Sequence, residues 1–224
     1  MLKVHGREVL ETLAEIADPA HTALLIIDVQ HDFCSPEGLY GSLGKDLSMF
    51  PPAVSRIGTA IAAARDAGVL PIWIRNRWLP RHRAASGPWL RFMVVRNGMD
   101  PERGCTVDGT WGAEILPEVA PGPDDIIVDK WRSSAFIGTN LDMVLRDNGI
   151  RTVVCTGVVT QGCVESTARD AAFMDYYVVV VEDAVATYEQ ALQDASLTVL
   201  RTRVDVAPLD EILGVWSGGN RRRE

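Results

Sequence analysis

The chain has 224 residues, 47% hydrophobic and 23% charged, enough to bury a sizeable core as one domain of ordinary size without disulfides. That composition excludes a disordered chain, a collagen-like repeat and a small disulfide scaffold. No run of about 18 apolar residues is present, which excludes a membrane-spanning helix, and a net charge of −8 argues against a nucleic-acid binder.

In chain order, residues 1–20 carry charges where a signal peptide would be apolar, so a cytoplasmic location is expected. Residues 23–29 (ALLIIDV) form an apolar run of strand length. Residues 52–67 have helical spacing and stop at Gly68. Residues 69–74 predict a second strand, followed by a Pro- and Gly-rich stretch over 75–123 that holds Trp78, Trp89 and Trp111. A connection of that length is usually functional. Strands follow at 126–129, 151–156, 177–182 and 204–206, and helices at 140–148, 163–175 and 190–200. Residues 217–224 (SGGNRRRE) read as a solvated tail. Continuous apolar strands alternating with helices predict a single-domain α/β fold: a three-layer, doubly wound, mostly parallel sheet, with its core over about 22–206.

Four cysteines, Cys34, Cys105, Cys155 and Cys163, form no C-x-x-C pair and match no zinc spacing. They read as separate reduced thiols. Cys155 lies inside a strand, and Cys34 and Cys105 read as loop thiols. Lysine occurs only at Lys3, Lys45 and Lys130.

Ligands of a doubly wound sheet bind beyond the carboxyl ends of its strands. There the first strand ends in Asp28, the third in Lys130, and the fourth runs through 157–162 to Cys163, which is expected to open a helix. Alone, Asp28 also suits a turn, Lys130 a surface charge and Cys163 a small buried hydrophobe. Together they are coherent: a helix N-terminus and a lysine favour thiolate, and a carboxylate can carry a proton to and from it. Such a trio suits acyl transfer from an amide, through a thioester, to water.

Three blocks, ALLIIDVQHDF, VDKWRSSAF and TGVVTQGCVESTARDA, resemble the isochorismatase-like cysteine hydrolases, in family order and over about 22–187. The resemblance implies a triad of Asp28, Lys130 and Cys163, and a cis peptide at Val158–Val159. It also implies an oxyanion hole from the N–H groups of Val159 and Cys163, and subunits assembled as dimers or tetramers. The presence of Cys163 favours a C–N amidohydrolase over the vinyl-ether hydrolases of the family, which commonly lack the cysteine. Neither His5, His21, His31 nor His82 forms the Asp-x-His motif of the nicotinamidase-like members, so no metal or other cofactor is expected.

Within the family the similarity is greatest to members acting on ureido and carbamoyl compounds, carried by Asn76-Arg77-Trp78, by 130–136 and by 163–167. That implies Asn76 and Trp78 as substrate-binding residues. Gln30 and Phe33 are expected to shape the wall, and Arg132 either to hold a substrate carboxylate or to pair with an acidic neighbour. Two departures are present. Leu79-Pro80-Arg81-His82-Arg83 stands where the family has acidic residues, and Gln161 stands where Asp or Asn is commoner. Glu165 reads as an exposed helix charge. A vinyl-ether hydrolase and a non-catalytic binding subunit of the same fold are the alternatives. Activity surviving loss of the thiol would favour the first, and an unreactive Cys163 the second.

Overall fold

The computed structural model describes residues 2–219. An exposed hairpin, β1 (Leu2–Val4) and β2 (Arg7–Val9), leads through the short helix α1 (Leu13–Ile16) to β3 (Thr22–Ile27). All six residues of β3 are buried, as its unbroken apolar run demands of a central strand. Short helices α2 (His31–Cys34) and α3 (Leu39–Ser42) precede α4 (Phe50–Ala67), which presents Ala53, Val54, Ile57, Ala60, Ile61 and Ala64 to the sheet at helical spacing. Gly68, at φ +78, ends α4 in the left-handed conformation that glycine tolerates best.

Strand β4 (Leu70–Asn76) enters the long connection, which holds α5 (Gly87–Leu90), a π-helical turn at Arg91–Arg96 and three short 3-10 turns. Then come β5 (Ile126–Lys130), α6 (Leu141–Asp147), β6 (Thr152–Val158), α7 (Glu165–Phe173), β7 (Tyr177–Ala186), α8 (Gln190–Leu200), β8 (Asp205–Ala207) and α9 (Leu209–Gly219). No helix among the described residues is long and apolar enough to cross a membrane.

The six strands pair in the order β5-β4-β3-β6-β7-β8, and every pairing is parallel. The predicted α/β fold is therefore observed. Helices cover both faces of the sheet, over two apolar cores. One holds Phe50, Ile57, Trp73 and Trp216, and the other Leu25, Ile72, Leu141 and Val180. Fully burying one such aliphatic side chain contributes about 1.5–3 kcal/mol. Strand order reverses between β3 and β6, which is where a doubly wound sheet opens a crevice.

Some boundaries differ from the sequence expectation. Strands β4 and β5 run on to Asn76 and Lys130, which face each other in register, and β7 runs to Ala186. Cys163 does not open a helix. It lies inside a π-helical turn, Thr160–Val164, and α7 starts two residues later. The expected tail begins as the last turn of α9, through Gly219, because Trp216 buries its ring and donates from Nε1 to the Ala17 carbonyl (3.1 Å). Residues 220–224, including Arg221–Arg223, lie outside the described residues.

The turn from β6 toward Cys163 depends on Gly157. Its φ is +114, and a Cβ there would stand 2.0 Å from the Ile27 carbonyl oxygen on the neighbouring strand. Gly157→Ala is therefore expected to cost about 3 kcal/mol or more, read as a lower urea midpoint. An unchanged midpoint would show that the two strand ends are not locked at this point.

Candidate active site

The ends of three strands converge as the sequence reading expects. Asp28 follows β3 in a left-handed conformation (φ +54), and its N–H donates to the Ile74 carbonyl (2.9 Å). That turn takes the chain off the sheet and leaves the carboxylate facing the end of β5. There the Lys130 ammonium lies 2.7 Å from Asp28 Oδ2. Both side chains are wholly buried. The other two lysine donors go to the Arg132 carbonyl (2.9 Å) and to Cys163 Sγ (3.2 Å). Cys163 is partly exposed, whereas Asp28 and Lys130 are wholly buried.

The electrostatics follow from burial. A carboxylate and an ammonium taken out of water persist as charges only by pairing. Burial pushes the Asp28 carboxyl up, against the pull of Lys130. Burial works against the charge of Lys130, but Asp28 and Cys163 beside it carry its pKa above the usual value. The Cys163 thiol is pushed up to about 12, first by burial and then by the charge of Asp28, with Lys130 opposing. Burial and the Asp28 charge therefore weigh against the thiolate that a helix terminus and a lysine were expected to favour, beside a carboxylate that burial makes more basic.

The peptide bond between Val158 and Val159 is cis, as the resemblance implied. Asn76 and Trp78 are both buried rather than set in an open loop. Asn76 Oδ1 and Trp78 Nε1 have no hydrogen-bond partner. An acceptor and a donor left unsatisfied indoors normally cost stability, so they mark a place where another group belongs. Phe33 is buried edge-on against Tyr40.

Gln30 is occupied. Its Oε1 accepts from the Asn76 N–H (2.8 Å), and its Nε2 donates to the carbonyls of Asn76 (2.9 Å) and Ala113 (2.8 Å). The side-chain amide thus continues the β3–β4 ladder after β3 has turned away, and it ties the long connection to the sheet. Its place is behind the wall, holding Asn76. Arg132 is half-buried. Its guanidinium lies over the Trp89 ring and donates to the carbonyls of Trp131 (2.5 Å) and Ala84 (3.2 Å).

Cys34, Cys105 and Cys155 are all buried; Cys105 lies in a loop as expected, whereas Cys34 ends the short helix α2. Burial holds Cys155 at about 12 and raises the other two as well. Glu165 is not a free surface charge. It pairs with Arg169 (2.7 Å) and accepts from Ser196 (2.5 Å). Among the described residues no group of three or more His, Cys, Asp or Glu is placed to hold a metal ion. Trp89 and His82, which pack with Trp78 around one cleft, were not singled out by sequence, because the connection has no periodicity to place them.

Residues 22–209 match the family model described as the isochorismatase domain. The chain belongs to the isochorismatase family. It is 39% identical over 173 residues to a ureidoacrylate amidohydrolase, RutB, of Enterobacter sp. (strain 638), covering 74% of this chain and 75% of that one. It superposes on a cysteine hydrolase from Pseudomonas syringae pv. phaseolicola 1448A with a TM-score of 0.76 and 27% identity, over 90% of this chain and 94% of the other. N-carbamoylsarcosine amidase from Thermoplasma acidophilum gives a TM-score of 0.65 and 28% identity, over 84% and 96%. This isochorismatase-family hydrolase thus carries the aspartate, lysine and cysteine together at its sheet crevice.

The ion pair yields a stability test. Lys130→Met leaves the Asp28 carboxylate buried and unpaired and should cost about 3–5 kcal/mol in chemical denaturation. Adding Asp28→Asn removes that charge and should restore most of the loss. If the double variant is no more stable than Lys130→Met, the pair is not what sets this cost.

Proposed function

We propose that the protein is a cysteine amidohydrolase that cleaves a C–N bond of a small linear amide, ureido or carbamoyl compound. The observation that carries this reading is the partly exposed Cys163, its sulfur 3.2 Å from a buried ammonium that is itself 2.7 Å from a buried carboxylate. The similarity to a ureidoacrylate amidohydrolase and to an N-carbamoylsarcosine amidase supports the class of bond. The unsatisfied Asn76 Oδ1 and Trp78 Nε1 support it too, since an amide or ureido end offers N–H groups to the first and a carbonyl to the second.

Asp28 takes the thiol proton as Sγ bonds to the substrate carbonyl carbon. Burial makes this carboxylate a better base than one in water, which suits the task. Lys130, near both groups, offsets the negative charge as it moves from carboxylate to sulfur and then to the tetrahedral intermediate. The N–H groups of Val159 and Cys163 receive the oxyanion. Protonated Asp28 then gives its proton to the departing nitrogen, and ammonia or an amine leaves a thioester on Cys163. Asp28, again a base, takes a proton from water as the water attacks. The C–S bond breaks and the thiol regains its proton.

Ammonia release is measured from ureidoacrylate, biuret, N-carbamoylsarcosine, maleamate and nicotinamide. Wild type should release ammonia from a ureido or carbamoyl member of this set. Cys163→Ala, with unchanged circular dichroism, should lose that activity by about a thousandfold or more. Turnover that survives the substitution would overturn the covalent mechanism and favour the vinyl-ether type of hydrolysis.

A further inference from the structure

One buried carboxylate takes no part in the chemistry proposed above. Asp32 lies in α2, four residues after Asp28, and is only 4% exposed. Its Oδ1 accepts from the Leu39 N–H (3.0 Å) and from Arg103 Nη2 (3.1 Å), and its Oδ2 accepts from the Thr106 N–H (2.6 Å). Gly112 packs against the same group, since a Cβ there would stand 2.5 Å from the carboxylate. Arg103 also donates to Ser42 Oγ. One side chain thus gathers α2, the start of α3 and two points of the long connection, and each of its donors is matched by an acceptor.

The residue held most closely is strained. Thr106 is fully buried and adopts φ +46, the left-handed region that a β-branched residue avoids. Such a conformation costs on the order of 1–3 kcal/mol and persists only where its surroundings impose it. The bond from its N–H to the Asp32 carboxylate is one such constraint. On the other side of the residue, the Thr106 carbonyl accepts from the Trp78 N–H (3.1 Å), and the Trp78 carbonyl accepts from the Asp108 N–H (2.9 Å). These two bonds set Trp78 beside Val107 in a short parallel bridge. One residue earlier, the Arg77 N–H still donates to the Lys130 carbonyl (2.9 Å). The chain therefore leaves β5 between Arg77 and Trp78, and from there the loop at 106–108 sets its course. Trp78 is also the buried residue whose Nε1–H has no partner.

We propose that Asp32 is a positioning residue: through Thr106 it sets the backbone of Trp78, and so aims the unsatisfied indole donor at the substrate. That Trp78 meets substrate rests on the proposed amidohydrolase activity; the link from Asp32 to Trp78 rests on geometry alone. The residue type suits the task. All three partners are N–H donors, and a carboxylate offers acceptors only, whereas an asparagine would turn an NH2 group toward one of them. With its oxygen kept toward Leu39 and Arg103, an asparagine would meet the Thr106 N–H with another donor. The strained residue would then relax. Trp78 would follow it, being bonded to that loop through both its N–H and its carbonyl. None of the three groups bonded to Asp32 belongs to the triad, so the reacting groups would stay in place.

The first readout needs no substrate. The chain holds six tryptophans, and each gives one indole N–H resonance in a nitrogen-labelled NMR spectrum, assigned by replacing each in turn. Asp32→Asn should displace the Trp78 resonance, together with that of Trp89 packed against it (6.3 Å), and leave those of Trp73, Trp131 and Trp216 in place. Arg103→Gln keeps the bond between Asp32 and Thr106 and should leave Trp78 where it is. Asp32→Ser, smaller and with room for a water, should displace Trp78 likewise and serves where the asparagine variant folds poorly. An unmoved Trp78 resonance, or all six displaced alike, would overturn the positioning role. The second readout is ammonia release from ureidoacrylate, biuret and N-carbamoylsarcosine. On a compound that the wild type cleaves, Asp32→Asn should raise KM about tenfold and change kcat by less than about twofold. A fall in kcat with KM unchanged would place the damage at the triad and overturn the inference. No ammonia from the wild type with any of the three would count against the amidohydrolase reading, while the resonances would still decide whether Asp32 places Trp78.

Discussion

Asp28 and Lys130 are both wholly removed from solvent, 2.7 Å apart, in a part of the molecule where neither charge survives without the other. Most of what surrounds them serves that pair or depends on it. The ammonium spends its three donors on the carboxylate, the Arg132 carbonyl and the Cys163 sulfur, so one buried cation fixes three strand-end segments at once. The carboxylate stays charged because of the lysine, and its charge joins burial in keeping the nearby thiol protonated. The geometry that makes Asp28 a proton acceptor is the same geometry that withholds the thiolate until a substrate arrives.

The sheet delivers the pair. Strand order reverses between β3 and β6, so Asp28 and Cys163 flank the crevice, and β4 lies between β3 and the strand that ends in Lys130. Parallel strands put all these carboxyl ends on one edge. Gly157 lets β6 pass close to Ile27, and Gln30 replaces the missing ladder partner of Asn76 once β3 has turned away. On the outer side, Trp78, Trp89 and Arg132 form a cleft that is cationic in an otherwise acidic protein.

Much of this was legible in the chain. Apolar runs such as 23–29 and 151–156 read as buried parallel strands because both faces of each are covered, and their ends named Asp28, Lys130 and Cys163. The parts that were not legible depend on tertiary contacts. Trp78 read as a pocket residue, but nothing local showed that its ring would be buried with its indole N–H unsatisfied. Gln30 read as a wall residue because its type suits a ligand, while its three backbone partners come from segments 46 and 83 residues away. The thiol read as activated because a helix N-terminus and a lysine favour thiolate. Burial and the aspartate outweigh both, and neither burial nor proximity can be weighed from spacing. Helix α9 was missed because Trp216 and its partner Ala17 lie at opposite ends of the chain.

The central claim is that Cys163 rests as a thiol because burial, joined by the buried Asp28 charge, opposes its ionisation. The most direct measurement is the thiolate absorbance near 240 nm against pH, taken as the difference between the protein and its Cys163→Ala variant. The account predicts no Cys163 thiolate through neutral pH, titration only toward about 12, and a clear fall in that value when Asp28→Asn removes the opposing charge. A thiolate already present near neutrality, or a titration that Asp28→Asn leaves in place, would contradict it.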